Sequence, residues 1–284
     1  MKYAIGLMVA ASLAVAGCGT PAGSGKGTCA GKGTCGATCS GTCATGTCVG
    51  KCKGGAAPAA GAATVSAAAG AAVAGVSRGV VPAVYVDQAP PIDGTLASPI
   101  WQKSPALVLG KVASAEIGPL QTTAHILLDK QNLYIGWECA EKNTAALVAD
   151  ATDRDGSVWS DDCIEVFISP DGDKAYHFVV NSKGVFQDGK GDVNEADDTT
   201  WNSKAVVKTA VVAGKCWTGT MSIPLKDLAP KSGNGQKWML NINRTKPVKD
   251  GDSVTFTESS WSATGQSKYG DATGWGKLTG VNVP

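Results

Sequence analysis

Histidine is scarce in this chain, which has 284 residues and 2 histidines. A Ser-His-Asp triad needs a histidine held between a nucleophile and an acid, and histidine-rich metal centres need several. Neither arrangement of residues is evident in the sequence. The scarcity of histidine therefore argues against both classes of enzyme.

Acidic residues are absent from residues 18–82, which carry five basic side chains. Lys2 adds a sixth positive charge and the whole chain has a formal net charge of +1, so residues 83–284 carry −5. A domain that binds nucleic acid is typically basic where it meets phosphate. The acidic C-terminal part is therefore predicted not to bind nucleic acid.

A hydrophobic run long enough to span a bilayer comfortably is missing at the N-terminus. The apolar residues 4–16 follow a charged start and lead through small residues to Cys18, as in a secretory signal. The sequence Leu-Ala-Val-Ala-Gly-Cys over residues 13–18 resembles the lipobox of bacterial lipoproteins. That resemblance implies a signal peptide over residues 1–17, lipidation of Cys18 and anchoring in the cell envelope, at the periplasm or the cell surface. The alternative is an ordinary signal peptide cut nearby; both predict export.

Apolar side chains that could form a core are almost missing from residues 19–54, where Gly-Thr-Cys recurs. The six cysteines there are Cys29, Cys35, Cys39, Cys43, Cys48 and Cys52. They lack paired Cys-x-x-Cys spacing and have no histidine nearby, which disfavours a zinc site. Cysteines of exported proteins form disulfides, so we predict a crosslinked stalk whose pairing remains open. Residues 55–82 are rich in Ala, Gly and Val and complete a predicted disordered tether.

From residue 83 onward, short runs of β-branched and aromatic residues are separated by turn residues. Strands are predicted at residues 84–86, 122–128, 133–139, 162–168, 175–181, 204–212, 216–223 and 237–244, with one helical turn at 224–228. Many short strands without intervening helices are typical of an antiparallel β-sandwich. We therefore predict one all-β domain over residues 83–284, an antiparallel, jelly-roll-like β-sandwich.

The stretch Ser-Val-Trp-Ser-Asp-Asp-Cys-Ile-Glu-Val-Phe-Ile over residues 157–168 suggests a binding site. Alternation places three aliphatic side chains on one face and Glu165 on the other, beside a thiol and a ring. A carboxylate is seldom buried without a partner. The ring of Trp159 can cover the apolar face of a pyranose while the carboxylate accepts hydrogen bonds from its hydroxyls. The alternative is a tryptophan that merely plugs the edge of the sandwich.

Seven motifs in order resemble the family 9 carbohydrate-binding module, of the DOMON-like β-sandwich group. They are Ile92-Asp-Gly94 with Trp101, Asn132-Leu-Tyr-Ile135, Val158-Trp-Ser-Asp-Asp-Cys-Ile-Glu-Val-Phe167, Phe178-Val-Val-Asn181 with Gly184, Ile223-Pro-Leu225, Leu240-Asn-Ile-Asn243-Arg244 and Gly274-Trp-Gly-Lys-Leu278. The resemblance covers residues 85–280. It implies a non-catalytic module that grips the end of a glycan or a small sugar, and that occurs attached to glycoside hydrolases such as xylanases.

The resemblance also implies residue roles. A sugar would be sandwiched between Trp159 and a second aromatic, Tyr269, with Glu165 taking its hydroxyls. The ligand-contacting arginine of the family falls on Val179, so this chain lacks a bidentate donor there. The candidate replacements on the same predicted face are His177 and Asn181, and a structural role for His177 is the alternative.

Family members hold structural calcium, which the resemblance extends to this chain. Hard oxygen ligands suitable for calcium occur in two acidic stretches, and we select Asp153 and Asp155 as the candidate ligands. The other candidates are Asp150, Asp161, Asp162, Asp188, Asp192, Asn194 and Asp197. Solvated acidic turns are the alternative interpretation.

Three functions of other classes are alternatives to sugar binding. A glycosidase needs two carboxylates about 5–9.5 Å apart, whereas Asp161 and Glu165 would lie about 13 Å apart along one strand. A haem-binding DOMON-like domain would need axial ligands, and Met221 and Met239 fall in alternating strands as core residues. A structural envelope protein crosslinked through its stalk is the third. The sequence favours non-catalytic carbohydrate binding at the cell envelope, in polysaccharide capture or catabolism alongside glycoside hydrolases.

Overall fold

The computed structural model describes residues 79–284 except 115, 119, 231, 266 and 267, and it leaves undescribed the side chains of residues 196 and 197. The predicted signal peptide, the lipidation at Cys18, the cysteine stalk and the linker up to residue 78 lie outside the described residues. No helix in the described part of the chain is long and apolar enough to cross a membrane.

Fourteen strands and five short 3-10 segments make up the regular structure of the described residues. The strands are β1 Val80–Pro82, β2 Leu107–Val108, β3 Gly110–Lys111, β4 Thr122–Leu128, β5 Asn132–Ala140, β6 Cys163–Ser169, β7 Lys174–Asn181, β8 Phe186–Asp192, β9 Glu195–Asp198, β10 Val206–Val212, β11 Cys216–Pro224, β12 Gly233–Asp250, β13 Ser253–Ser260 and β14 Gly276–Val283. The 3-10 segments are Pro99–Lys103, Thr144–Ala146, Val158–Ser160, Leu225–Leu228 and Ala272–Gly274.

The strands form two sheets. The larger, nine-stranded sheet has the main order β1-β14-β12-β6-β7-β8-β9, and β13 pairs with both β12 and β3. The smaller sheet has the order β10-β11-β5-β4-β2. Strand β1 runs parallel to β14, and the other described pairs of named strands are antiparallel. The prediction of an all-β, antiparallel fold is confirmed.

Alternate residues of the strands build the core between the sheets. On β6, Ile164, Val166 and Ile168 are almost completely buried and belong to the same apolar cluster as Trp137 and Trp217 of the smaller sheet. Burial of each aliphatic side chain stabilises the fold by about 1.5–3 kcal/mol. The predicted division of β6 into a core face and a second face is confirmed, and that second face lies on the outside of the larger sheet.

The sequence-based strand assignment is wrong at residues 84–86 and at both ends of β12, which begins at Gly233 rather than at residue 237, and β10 begins at Val206 rather than at residue 204. Residues 84–86 form no strand, because Tyr85 makes only an isolated bridge to Leu128. Strand β12 does not end at residue 244 but continues to Asp250, because β13 still pairs with it there. The end at residue 244 was predicted from the alternation of apolar side chains that face the core. That alternation stops where the smaller sheet no longer covers β12.

A two-stranded ribbon, residues 246–257, extends from the larger sheet. The β6 partner of β12 ends at the pair Thr245–Cys163, and the β3 partner of β13 ends at Ser259. Between those points and the turn at Gly251, residues of β12 and β13 pair only with each other among the described strands. One face of this ribbon is directed toward the outer face of the sheet, where the candidate site lies.

Candidate functional site

A pocket of about 680 Å³ lies on the outer face of the larger sheet. Its floor includes Glu165 and Phe167 of β6 and His177 of β7. Trp159, in the 3-10 turn before β6, also lines it. The other lining residues come from the β8–β9 turn, from β12 and β13, and from the loop before β14; they are Asn194, Thr245, Phe256, Glu258, Lys268, Tyr269, Gly270 and Asp271.

Glu165 is the carboxylate of the pocket floor and is 7% exposed. Its Oε2 lies 2.9 Å from Nε2 of His177, and its Oε1 accepts a hydrogen bond of 3.1 Å from the hydroxyl of Thr245. Both contacts follow from the register, because His177 and Thr245 are each two residues from the direct partner of Glu165 on a neighbouring strand. The carboxylate is thus fixed in position, and its oxygens retain acceptor capacity for a ligand hydroxyl.

The face of the His177 imidazole ring also has a contact that fixes its orientation. Its ring stacks on Phe167 with centroids 4.0 Å apart and an interplanar angle of 10°. Phe167 in turn contacts Trp275, with ring centroids 5.2 Å apart. The apolar layer under the pocket therefore orients the histidine that orients Glu165. His177 has a structural role in this site whether or not it also contacts a ligand.

Trp159 is an exposed ring at this pocket. The 3-10 turn Val158–Ser160 buries Val158 completely and leaves Trp159 53% exposed. The thiol of Cys163 donates to the backbone carbonyl of Trp159 at 3.8 Å, which ties the turn to the start of β6. A large apolar ring left in solvent next to a fixed carboxylate is the arrangement expected of a stacking platform.

Tyr269, the second predicted platform, lines the same pocket but is 8% exposed. Its hydroxyl donates a 2.8 Å hydrogen bond to the backbone carbonyl of Arg244. Burial raises the pKa of this hydroxyl well above its ordinary value. Tyr269 therefore contributes the side of a ring to the pocket wall, while its hydroxyl is already used within the protein.

Sequence reasoning missed two pocket residues on β13, Phe256 and Glu258. Phe256 is 46% exposed. Both lie in the sequence Ser-Val-Thr-Phe-Thr-Glu-Ser-Ser, where Ser and Thr dominate and no core face is apparent. The available signal was the spacing of two, which puts the ring and the carboxylate on one face of a strand.

Negative charge predominates among the pocket side chains. Glu165, Glu258 and Asp271 line it, against the single lysine Lys268 and the paired His177. Burial, and secondarily the nearby charge of Glu165, raise the pKa of Glu258. This excess of carboxylates favours a neutral ligand with hydroxyl donors over an anionic one.

The structure does not bring Asn181 into the pocket. Asn181 is completely buried, its amide donates 2.9 Å to Asp161, and its amide oxygen accepts from the backbone of Lys183 and Val185. Val179, the position of the missing family arginine, is also fully buried. Of the predicted sugar contacts, Trp159, Glu165, His177 and Tyr269 share one pocket, whereas Asn181 organises the adjoining loop.

The buried acidic residues considered for calcium have partners within the protein. Asp161 accepts hydrogen bonds from the backbone of Asp150 and Ala151, at 2.9 and 3.1 Å. The buried carboxylate of Asp188 lies 2.6 Å from the guanidinium of Arg154. Arg154 thereby supplies the positive charge that this carboxylate needs.

The two named calcium candidates lie in the loop beside Arg154. Asp155 has a φ of 61° and accepts a hydrogen bond from the backbone of Asp188, and Asp153 accepts one of 3.4 Å from the hydroxyl of Thr152. The described residues contain no group of three or more His, Cys, Asp or Glu placed to hold a metal ion. Calcium binding by Asp153 and Asp155 stays a prediction.

Comparison with family models identifies the class of protein. Residues 92–282 match the family described as carbohydrate family 9 binding domain-like. The chain belongs to this family. The resemblance inferred from the ordered motifs is thereby confirmed.

Solved structures share the fold. A carbohydrate-binding protein from Bacteroides uniformis, described as putative, matches with a TM-score of 0.54 and 20% identity over 70% of this chain and 97% of that one. A family 9 carbohydrate-binding module from Caldicellulosiruptor kristjanssonii, solved with glucose, matches with a TM-score of 0.53 and 15% identity over 72% of this chain and 97% of that one.

A module from the same organism, solved with cellotriose, gives a TM-score of 0.51 and 16% identity, with 71% and 94% of the two chains covered. A search of curated proteins found no match.

Proposed function

We propose that this domain binds a neutral sugar without chemical turnover, in the pocket on the outer face of the larger sheet. The observation that carries the proposal is the pairing of an exposed ring, Trp159, with a carboxylate, Glu165, that His177 and Thr245 hold in place. The ring matches the C–H face of a pyranose, and the carboxylate accepts hydrogen bonds from its hydroxyls.

Membership of a binding-domain family supports this proposal, and the glucose and cellotriose complexes of two structural relatives supply the first ligands to test. In this proposal Tyr269 forms the wall across from the floor. Its ring is large enough to pack against a sugar, although its hydroxyl is used by Arg244. Asn181 takes no part, since its amide is satisfied inside the fold.

The test is calorimetric titration of the full chain with glucose, with cellotriose and with neutral sugars selected on a glycan array. Trp159→Ala should weaken binding by on the order of 1–3 kcal/mol, the loss typical of a stacking ring, which is about tenfold or more. Trp159→Phe is the matched control, because it keeps an aromatic platform and should retain most of the affinity. Equal affinity of wild type and Trp159→Ala for a bound sugar would place the site elsewhere.

Glu165→Gln gives a second measurement in the same titration. Replacing a charged acceptor by a neutral one should cost about 1 kcal/mol of binding free energy, since hydrogen bonds to charged groups are the stronger class. The variant keeps the shape of the side chain and can still accept from Thr245. Unchanged affinity would remove Glu165 from the list of sugar contacts.

We further propose that the chain is exported and anchored through a lipid on Cys18, and that it serves polysaccharide capture beside glycoside hydrolases. The support is the lipobox-like sequence over residues 13–18 together with the family of the domain. Cys18→Ala should move the protein from membrane to soluble fractions after cell lysis, because anchoring depends on the acyl chains. Retention of the variant in membranes would contradict the lipid anchor.

A further inference from the structure

We propose that the pocket-facing side of the ribbon, residues 246–257, forms a second sugar subsite centred on Phe256, so that the protein prefers an oligosaccharide to a monosaccharide. This inference rests on the proposed sugar site at Trp159. It concerns a different element of the fold, the part of β12 and β13 that extends past the sheet.

The faces of the ribbon follow from its register. Directly opposed residues of an antiparallel pair share a face, and the opposed pairs on one side are Thr245–Glu258, Pro247–Phe256 and Lys249–Val254. Three of these residues, Thr245, Glu258 and Phe256, line the pocket. The same face continues outward to Val254, so the pocket wall and the ribbon face are one surface.

This surface leaves apolar groups in solvent beside the site. Phe256 is 46% exposed and Val254 is 48% exposed, and buried Pro247 lies opposite Phe256. Among the described residues the exposed aromatic rings are Tyr85, Trp159 and Phe256, and two of these three line this one pocket. Two exposed rings on separate elements around one pocket provide platforms for two sugar residues.

Contacts at both of its faces position the ribbon. On the pocket side, Nζ of Lys249 lies 3.2 Å from Oδ2 of Asp150, in the segment that leads to Trp159. On the other side, Lys246 pairs with Glu141. The exposed Lys249–Asp150 pair adds little stability by itself, but it joins the ribbon to the loop that carries the first ring. The two platforms therefore belong to one connected surface.

The pocket also has room for more than one sugar residue. Its volume of about 680 Å³ falls in the range of sites that take drug-sized ligands, roughly 300–1,000 Å³, and a single sugar is smaller than such a ligand. Its carboxylates outnumber its single lysine, so the chain that fits is a neutral oligosaccharide rather than one of uronic acids.

The test compares affinities for glucose and cellotriose in wild type, Phe256→Ala and Val248→Ala. Val248 is the matched control, because it is 41% exposed on the opposite face of the same ribbon. Wild type should bind the trisaccharide about tenfold more tightly than the monosaccharide, the gain expected from one more stacked sugar. Phe256→Ala should lose most of that gain and weaken cellotriose binding far more than glucose binding, and Val248→Ala should change neither value.

Two results would overturn the subsite: equal binding of glucose and cellotriose by wild type, or a ratio of the two affinities that is the same in Phe256→Ala as in wild type, as after an equal loss for both sugars. If neither glucose nor cellotriose binds, the same comparison is made with xylose and xylotriose and with mannose and mannotriose. Binding of no pair overturns the proposed function together with the subsite. Equal binding within a pair overturns the subsite alone.

Discussion

The two faces of β6 have different roles although both are buried. Ile164, Val166 and Ile168 on the inner face meet the second sheet, while Glu165 and Phe167 on the outer face form the floor of a pocket. The exposure of the whole strand is low on both sides. Burial alone therefore does not distinguish core from site. The distinction lies in what each face packs against and in whether its polar atoms have fixed partners.

Two tryptophans extend this comparison to neighbouring elements. Trp238 of β12 is completely buried in the core, whereas Trp159 is 53% exposed at the pocket. If the outer face is a site rather than a second core, replacing each tryptophan by alanine should have a different effect. The replacement of Trp238 should lower the stability of the fold, and that of Trp159 should weaken ligand binding. Stability and binding then separate the two faces.

The largest expected effect is on stability at the inner face. Trp238→Ala should lower the free energy of unfolding by about 3–5 kcal/mol, because it leaves a cavity in a packed core. Trp159→Ala should change it by no more than about 0.5 kcal/mol, as for a typical surface substitution. Chemical denaturation of the two variants measures both values. A loss of several kcal/mol in Trp159→Ala would make that ring part of the packing and break the comparison.

The second effect concerns an acid at the end of the inner face. Asp162 is 1% exposed and one of its oxygens, Oδ1, has no hydrogen-bond partner among the described residues. Burial raises the pKa of Asp162 from 3.8 to about 6, against the opposing effects of the Val148 backbone and Arg244. Because the folded-state pKa lies above the unfolded-state value, this group favours folding most below pH 4. That contribution is lost as the pH rises toward 6.

The loss corresponds to roughly 3 kcal/mol at 1.36 kcal/mol for each factor of ten in proton affinity. Asp162→Asn should therefore show a smaller fall in unfolding free energy between pH 4 and pH 7 than wild type. Denaturation curves at the two pH values provide the measurement. Parallel pH dependences in wild type and variant would contradict the raised pKa.

The smallest effect is expected at the outer face, from Glu258. Burial and the neighbouring charge of Glu165 raise its pKa, so its ionisation opposes folding as the pH rises above its unfolded-state pKa of about 4.5. Glu258→Gln should melt at a slightly higher temperature than wild type at pH 7 and at the same temperature at pH 4. A lower melting temperature at pH 7 would show that ionised Glu258 is stabilising there.

The sequence predicts the inner face better than the outer one for a physical reason. Strand β4 is found at the predicted residues, and β5, β6 and β7 lie within a residue of their predicted limits. In these strands, contact with the opposite sheet requires alternation that is visible in the sequence. The strand β13 is one of the strands that the sequence did not predict, because residues 253–256 are exposed and Ser and Thr dominate the strand without a core pattern.

The same reason governs the site. Trp159, Glu165 and His177 were identified on or beside recognisable core strands, and Tyr269 was identified through the family resemblance; the fold brings all four to one pocket. The partner Thr245 could not be identified, since its contact with Glu165 depends on which strands become neighbours. Asn181 shared the predicted face with His177, but the loop at Ala151 and Asp161 covers that end of β7 and uses its amide.

The ribbon is a part of the chain that could change in length without disturbing the two sheets. Its residues from Lys246 to Thr257 pair only with each other among the described strands, and a turn at Gly251, with a φ of 57°, closes it. Residues could be added or removed in matched pairs at that turn without altering the register of β6, β12 and β14. Such a change would lengthen or shorten the surface beside the pocket and leave the sandwich as it is. Selection for ligand length can act on a hairpin while selection for folding acts on the sheets.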